Sequence, residues 1–482
     1  MNPLPRSASL SLLALLAGTS LAQAQRVWYV SPTGSPNTSG DSWTTALNGI
    51  ELAIQRAQPG DRVWVRAGTY INTQSRGAPI SMRTGVVVLG GFAGNETNES
   101  SRNPEANLTT ITGDLNGDDD LGGTTADNAN TVIDVPPGTV ATAVLDGFTI
   151  RSARSQGIRV NGSFTLRNCT LTRHTGSFTG SVLGMANAAL GSVLRVENCR
   201  FIRNGSPAFA GPLVAIESSA VVTIVNSSFL ANVGGPVIRV QNLFASDSSF
   251  SLVNCQVVQN RIVANAAVTL RPQGGTLAII GSTIAGNEST GGFAAGLSIE
   301  STQPGVLLRN SILWGNRVGT IPPNLSAQIQ APLGGLSVDY CRVQEWVQGQ
   351  PFSGVGTSGA DPRLADLDGP DDLFGTGDEN VRLLGDSSAI DAGNNFYVPP
   401  DVLDLDRDGN TTEPTPFDLA GGPRFLDEAS VPDTGVGTPP IVDIGAFERG
   451  QPIEECAADF NNDGQVDLFD YLDFVVAFGA DC

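Results

Sequence analysis

The densest chemistry in the chain lies near its C-terminus, in the run Asp459-Phe-Asn-Asn-Asp-Gly-Gln-Val-Asp-Leu-Phe-Asp470. Asp459, Asn461 and Asp463 occupy positions 1, 3 and 5 of a twelve-residue loop. Gly464 holds the sharp-turn position 6, Gln465 offers its carbonyl at 7, and Asp467 and Asp470 hold 9 and 12. Calcium takes hard oxygen ligands, and this alternate spacing turns all of them towards one ion. Apolar Leu468, Tyr471, Leu472, Val475 and Phe478 then recur at helical spacing. A second loop of this kind is offered by Asp404, Asp406, Asp408, Gly409 and Asn410, with Thr415 where a twelfth-position carboxylate belongs. Asp114, Asn116 and Asp118 make a third and weaker candidate, and residues 366–380 are acidic and rich in turn formers. Asp, Asn and Gly also make ordinary turns without any metal.

Catalytic groups are sparse. All 27 basic residues are arginine and His174 is the one histidine, which excludes Schiff-base lysines, phosphate-loop lysines and multi-histidine zinc sites. Between residues 161 and 338 the acids are Glu197, Glu217, Asp247, Glu288 and Glu300, at positions that differ from one repeat to the next. An arginine acting as base beside calcium could support lyase chemistry, with Arg195, Arg200, Arg203 and Arg239 as contributors. No residue is assigned as catalytic. Charge is uneven: residues 361–482 carry 28 acids against 5 arginines, whereas residues 1–360 are close to neutral. No basic stripe suits nucleic acid.

The elements that must position these groups come from a repeat. The phrases LRNCTLTRH, VENCRFIRN, IVNSSFLAN, LVNCQVVQN, IIGSTIAGN and LRNSILWGN place their third residue at Asn168, Asn198, Asn226, Asn254, Gly281 and Asn310. Steps of 27 to 30 residues with strand-like alternation predict a right-handed parallel β-helix of about three short strands per turn. The closing residues Asn204, Asn232, Asn260, Asn287 and Asn316 should stack as a hydrogen-bonded ladder, with His174 as its terminal member. Cys169, Cys199 and Cys255 share a slot with Ser227, Ser282 and Ser311. Cys169 and Cys199 could bridge between adjacent turns, although small buried thiols are the favoured reading.

Upstream, Leu47, Ile50, Ile54 and Ala57 mark an amphipathic helix ending at Pro59-Gly60, a cap for an otherwise open sheet edge. Arg6, the apolar run Leu10 to Ala17 and Ala22-Gln23-Ala24 read as a signal peptide cleaved near Ala24, which implies a secreted, extracellular or cell-surface protein. The organisation expected is a signal peptide (1–24), an N-terminal cap (25–60), the β-helix (61–345), an acidic closing module (346–450) and a small calcium unit (454–482). No segment is long enough to span a bilayer.

WYVSPTGSPNTSGDSW (28–43), PGDRVWVRAGTY (59–70), VLGGFAGNET (88–97) and ITGDLNGDDD (111–120) resemble secreted bacterial right-handed parallel β-helix proteins related to polymorphic outer-membrane proteins. NSILWGN (310–316), ADPRLAD (360–366), SSAIDAGN (387–394), GGPRF (421–425) and VDIGAFE (442–448) resemble their choice-of-anchor closing module. Aspartate rather than glutamate at Asp470 resembles a dockerin. Type I dockerins carry two such units where this chain carries one, and a Cys456–Cys482 disulfide could substitute for the missing copy. The resemblance implies a surface protein without one fixed activity. The expectation is a monomeric, non-catalytic display or adhesion scaffold that uses calcium, contacts polysaccharide and attaches to a cell-envelope or cohesin-like receptor. The alternative is a polysaccharide lyase or glycoside hydrolase acting on acidic polysaccharide.

Overall fold

A computed structural model describes residues 25–71, 77–121, 125–175, 181–208, 211–292, 294–301, 305–349 and 351–450. The signal-peptide segment and the 454–482 unit lie outside them.

The repeat folds as a parallel β-helix. Its three faces are sheets of eleven, ten and nine parallel strands, and strands that neighbour each other in a sheet come from successive turns of the chain. The register keeps equivalent residues stacked. On the first sheet Leu166 lies opposite Val196, which lies opposite Ile224, then Leu252, Ile279 and Leu308. On the second sheet the column is Leu171, Phe201, Phe229, Val257, Ile284 and Leu313. Both columns point inward and are fully buried. Phe201 and Phe229 stack at 4.7 Å. Burying each such side chain contributes about 1.5–3 kcal/mol, so the columns make one continuous core.

The third residue of each phrase makes the corner between the first two sheets. Asn168, Asn198, Asn226, Asn254, Gly281 and Asn310 all adopt a left-handed backbone, with φ between 45° and 55°. Asparagine and glycine enter that region at less cost than most residues, although Tyr340 takes the same corner one turn further on. This backbone demand is the physical origin of the periodic Asn.

The closing asparagines form the expected ladder inside the solenoid. Asn204 Nδ2 donates to Asn232 Oδ1 at 3.0 Å. The same contact links Asn232 to Asn260, Asn260 to Asn287 and Asn287 to Asn316, each at 2.9 Å. Gln328 Oε1 closes the far end, accepting from Asn316 Nδ2 at 2.7 Å. His174 terminates the near end, with its backbone N–H donating to Asn204 Oδ1. Its ring Nδ1 accepts from the Ala153 N–H, so Nε2 carries the proton and donates to the Ile150 carbonyl at 3.0 Å.

Burial holds His174 neutral and pushes its pKa down to about 4, the Ile150 carbonyl offsetting only part of this. The unfolded imidazole protonates at its ordinary value of 6.5 and the folded one near 4. The contribution of His174 to stability is therefore present in full above pH 6.5 and is lost as pH falls towards 4. It amounts to about 3 kcal/mol. Denaturant melts of the native chain and of His174→Asn, which would extend the ladder, should diverge by about 3 kcal/mol across that window, a difference from which the opposite slopes of buried acids such as Asp443 cancel.

The four described cysteines, Cys169, Cys199, Cys255 and Cys341, are buried free thiols, so no bridge joins Cys169 to Cys199. Burial pushes the Cys169, Cys255 and Cys341 thiols up to about 12 and raises Cys199 well above its usual range, which leaves all four unreactive. They line up with the serines of the other turns: the Cys199 N–H donates to Ser227 Oγ, and the Cys255 N–H to Ser282 Oγ.

At the N-terminal end the helix spans Ile50–Arg56, with Ile50, Ala53 and Ile54 buried. The strand Val27–Val30 falls within the segment read as a cap, yet it pairs in parallel with Arg62–Arg66 and starts the first sheet. At the other end Trp346 and Phe352 join the main core, and the Val343 N–H donates to the Ser358 carbonyl.

From about residue 361 the chain turns back and runs along the outside of the second sheet. Val381, Ala446 and Phe447 pack on Leu230, Val258 and Ala285, while Leu383, Ile390 and Ile444 pack on Ile312. Asn254 Nδ2 donates to the Phe417 carbonyl, and Asn310 exchanges two hydrogen bonds with the backbone of Asn394. The closing module is a lateral cover over the later turns.

Candidate functional site

The lateral cover stops short of the earlier turns. Outward residues of the second sheet are buried at Ser228 and Leu230, but Arg200 and Thr170 remain accessible. The step leaves an open groove of about 1020 Å³, walled by residues 98–108 on one side and by Arg407 on the other. Asn168, Thr170, Asn198 and Arg200 lie along its floor. An adjoining recess of about 320 Å³ reaches Glu197, Asn226, Asp404 and Asp418.

The floor is rigid because a buried carboxylate organises it. Asp146 is fully buried and lies 2.7 Å from Arg102 and 2.8 Å from Arg167. Asn168 Nδ2 donates to its second oxygen at 2.9 Å, and Asn198 Nδ2 donates onward to Asn168 Oδ1 at 2.7 Å. Burial alone would raise the Asp146 pKa, but the two guanidiniums more than compensate and hold it below the usual carboxylate range. Asp146 is thus a permanent anion that orients its neighbours. Glu197 differs. Burial raises its pKa, and Arg167 and Arg195 offset only part of that rise. Glu105, on the opposite wall, is exposed.

Of the arginines singled out by sequence, Arg200 lines the groove and Arg195 acts on Glu197 from the first sheet. Arg203 is exposed and donates to the Thr376 carbonyl of the closing module, and Arg239 pairs with Glu217 at 2.8 Å on the third sheet. Glu288 pairs with Arg261 and Arg317. The acids of the solenoid therefore lie on separate faces, as their differing repeat positions suggest. Arg102 and Arg407 were not identified from sequence, because neither belongs to the repeat. Arg407 sits inside the acidic 404–410 loop.

That loop has a calcium-type backbone. The Gly409 N–H, at position 6, donates to Asp404 Oδ1, at position 1, and Gly409 takes φ 87°. Asp404, Asp406 and Asp408 each place a carboxylate oxygen within 4.8 Å of the others. Asn410 spends its side chain on Glu413 and Thr412 and so does not face this group. Thr415 is buried against the Pro399 carbonyl. The further carboxylates come instead from Asp401 and Glu413, which gather with Asp406, and Glu413 Oε1 is buried without a partner. This oxygen set suits calcium.

The Asp114 loop also converges, with Asp114, Asp118 and Asp127 clustered and both oxygens of Asp127 buried without partners. Asn116 donates its amide to Asp118 and turns its donor side inward. The favoured ligands Asp459, Asn461, Asp463, Gln465, Asp467 and Asp470, and the Cys456–Cys482 pair, lie outside the described residues.

Fold and register define a parallel β-helix protein with a lateral closing module. Three solved structures are similar to it. A pectate lyase shares 15% identity, covers 89% of this chain and 97% of its own, and superposes with a TM-score of 0.39. XylC in complex with xylose shares 10% identity over 88% and 98% of the two chains, with a TM-score of 0.42. A rhamnogalacturonan lyase shares 13% identity over 75% and 97%, with a TM-score of 0.35. No family model matches the sequence, and no curated protein matches it significantly. Among the described residues no helix is long and apolar enough to cross a membrane.

Proposed function

We propose that this chain is a secreted, non-catalytic β-helix scaffold that binds an acidic polysaccharide in the lateral groove. In this reading calcium in the 401–413 segment sets the wall carrying Arg407, and the 459–470 loop attaches the protein to an envelope or cohesin-like receptor. The observation that carries the proposal is the pair Arg200 and Arg407. Both line the groove, and neither forms an ion pair among the described residues. Guanidinium forks match the planar carboxylate of a uronate, and the ordered amides of Asn168 and Asn198 suit sugar hydroxyls.

Arg200→Ala with Arg407→Ala should weaken binding to polygalacturonate by about tenfold or more and leave binding to a neutral xylan unchanged. Calorimetry in calcium-containing buffer checks this, and equal affinity of both proteins for polygalacturonate would refute it. Products of the same incubations test the rival class. Unsaturated oligosaccharides or new reducing ends would make the chain a lyase or hydrolase, with Glu197 the first group to replace.

A further inference from the structure

We propose that Asp391, Asp427 and Asp433 form a calcium site that fastens residues 426–435 onto the closing module. Asp391 is far in sequence from Asp427 and Asp433, and no calcium-loop spacing marks the three. The fold brings one carboxylate oxygen of each within 4.8 Å of the others. Calcium–oxygen distances of about 2.3–2.6 Å allow ligands on opposite sides of one ion to lie that far apart.

The second observation is the state of Asp391. Its side chain is fully buried, and neither carboxylate oxygen has a hydrogen-bond partner. The Glu428 amide faces it without reaching hydrogen-bond geometry. A buried anion with no donor costs several kcal/mol unless a cation meets it. No arginine does so: none of the three aspartates forms an ion pair among the described residues. The surroundings add to the excess, since Asp418, Asp443 and Glu448 are also buried and Arg424 is the buried cation they share.

Asp391 closes the inner side of the cluster, while exposed Asp427 and Asp433 leave the outer side open to water. The ligands are all hard oxygens. Their wide spacing on a loop suits calcium better than magnesium, which demands a tight octahedron. The mechanical consequence follows from the backbone. The Asp391 carbonyl accepts from the Thr434 and Gly435 N–H groups at 2.9 and 3.0 Å, and the Asp391 N–H donates to Asp443 Oδ1 at 2.7 Å. An ion here ties the outer loop to the buried Arg424–Glu448 core.

Hydrogen exchange on the full chain, in calcium and in chelator, tests the site. In the native chain calcium should slow exchange of the Thr434 and Gly435 amides by tenfold or more. Asp427→Asn with Asp433→Asn changes only exposed side chains and should abolish that response while residues 401–413 still respond. The isosteric Asp391→Asn should behave the same way. Identical exchange of 426–435 with and without calcium in the native chain would overturn the proposal. A calcium response retained in the double variant would overturn it too.

Discussion

Arg424→Met is expected to destabilise the closing module by about 3–5 kcal/mol, because it leaves buried carboxylates without their cation. Arg424 is 1% exposed. Its guanidinium lies 3.0 Å from Glu448 Oε1, at ion-pair distance though not aligned as a hydrogen bond, and Nη2 donates to the Asp443 carbonyl. Burial raises the Glu448 pKa well above its usual value despite Arg424, and burial lifts Asp443 to about 7. Removing the arginine removes the main offset at Glu448 and a smaller one at Asp443, which the Asp391 and Arg449 N–H groups also stabilise as an anion. The loss should appear as an early transition in urea, reported by fluorescence of Trp314, which packs against this module. Arg424→Met combined with Glu448→Gln should recover part of the loss, since the uncompensated charge is then gone. A double variant as unstable as the single one would show that packing, and not charge, is what Arg424 supplies.

Asn260→Ala should cost about 4 kcal/mol and should do so in the solenoid itself. Asn260 Nδ2 donates to the Phe229 and Val258 carbonyls and to Asn287 Oδ1, and its Oδ1 accepts from both the backbone and the side chain of Asn232. The residue is fully buried, so each orphaned group carries a penalty of about 1–3 kcal/mol with no water to relieve it. Solenoid stability is a sum over neighbouring turns, and a break in the middle should divide the cooperative unit. A lower denaturant midpoint together with a shallower transition is the expected signature. A midpoint within experimental error of the native chain would show that the ladder is not what couples the turns.

Much of the solenoid was legible because its physics repeats. One slot needs a left-handed backbone, another needs an amide that donates and accepts, and a third needs a small buried group. Each demand returns every 27 to 30 residues and leaves Asn, Asn and Cys or Ser in the sequence. The place of His174 at the end of the ladder followed from the same logic. Gly281 was legible only as a departure from the pattern. A Cβ there would meet Asn254 Oδ1 at 2.7 Å and Arg424 Nη2 at 3.0 Å, so the missing side chain makes room for the buried guanidinium.

The groove was not legible, because it exists only where the folded-back module ends. Nothing local in the 361–450 segment says that it returns along the second sheet, and although the outward apolar residues Leu230 and Val258 share one slot of the repeat, that slot does not say what covers it. The grouping of Asp391 with Asp427 and Asp433 likewise needs distant segments to meet, while Asp401 and Glu413 come together across the antiparallel ends of one loop. The parallel solenoid and its Asn ladder can be read from spacing alone, since they follow from short-range backbone demands, and the same spacing marks the candidate calcium loops. Which arginines share a surface and which carboxylates share a cavity depends on how the chain packs in space. Those contacts join segments up to two hundred or more residues apart, and a repeat with a period near 28 residues cannot encode them.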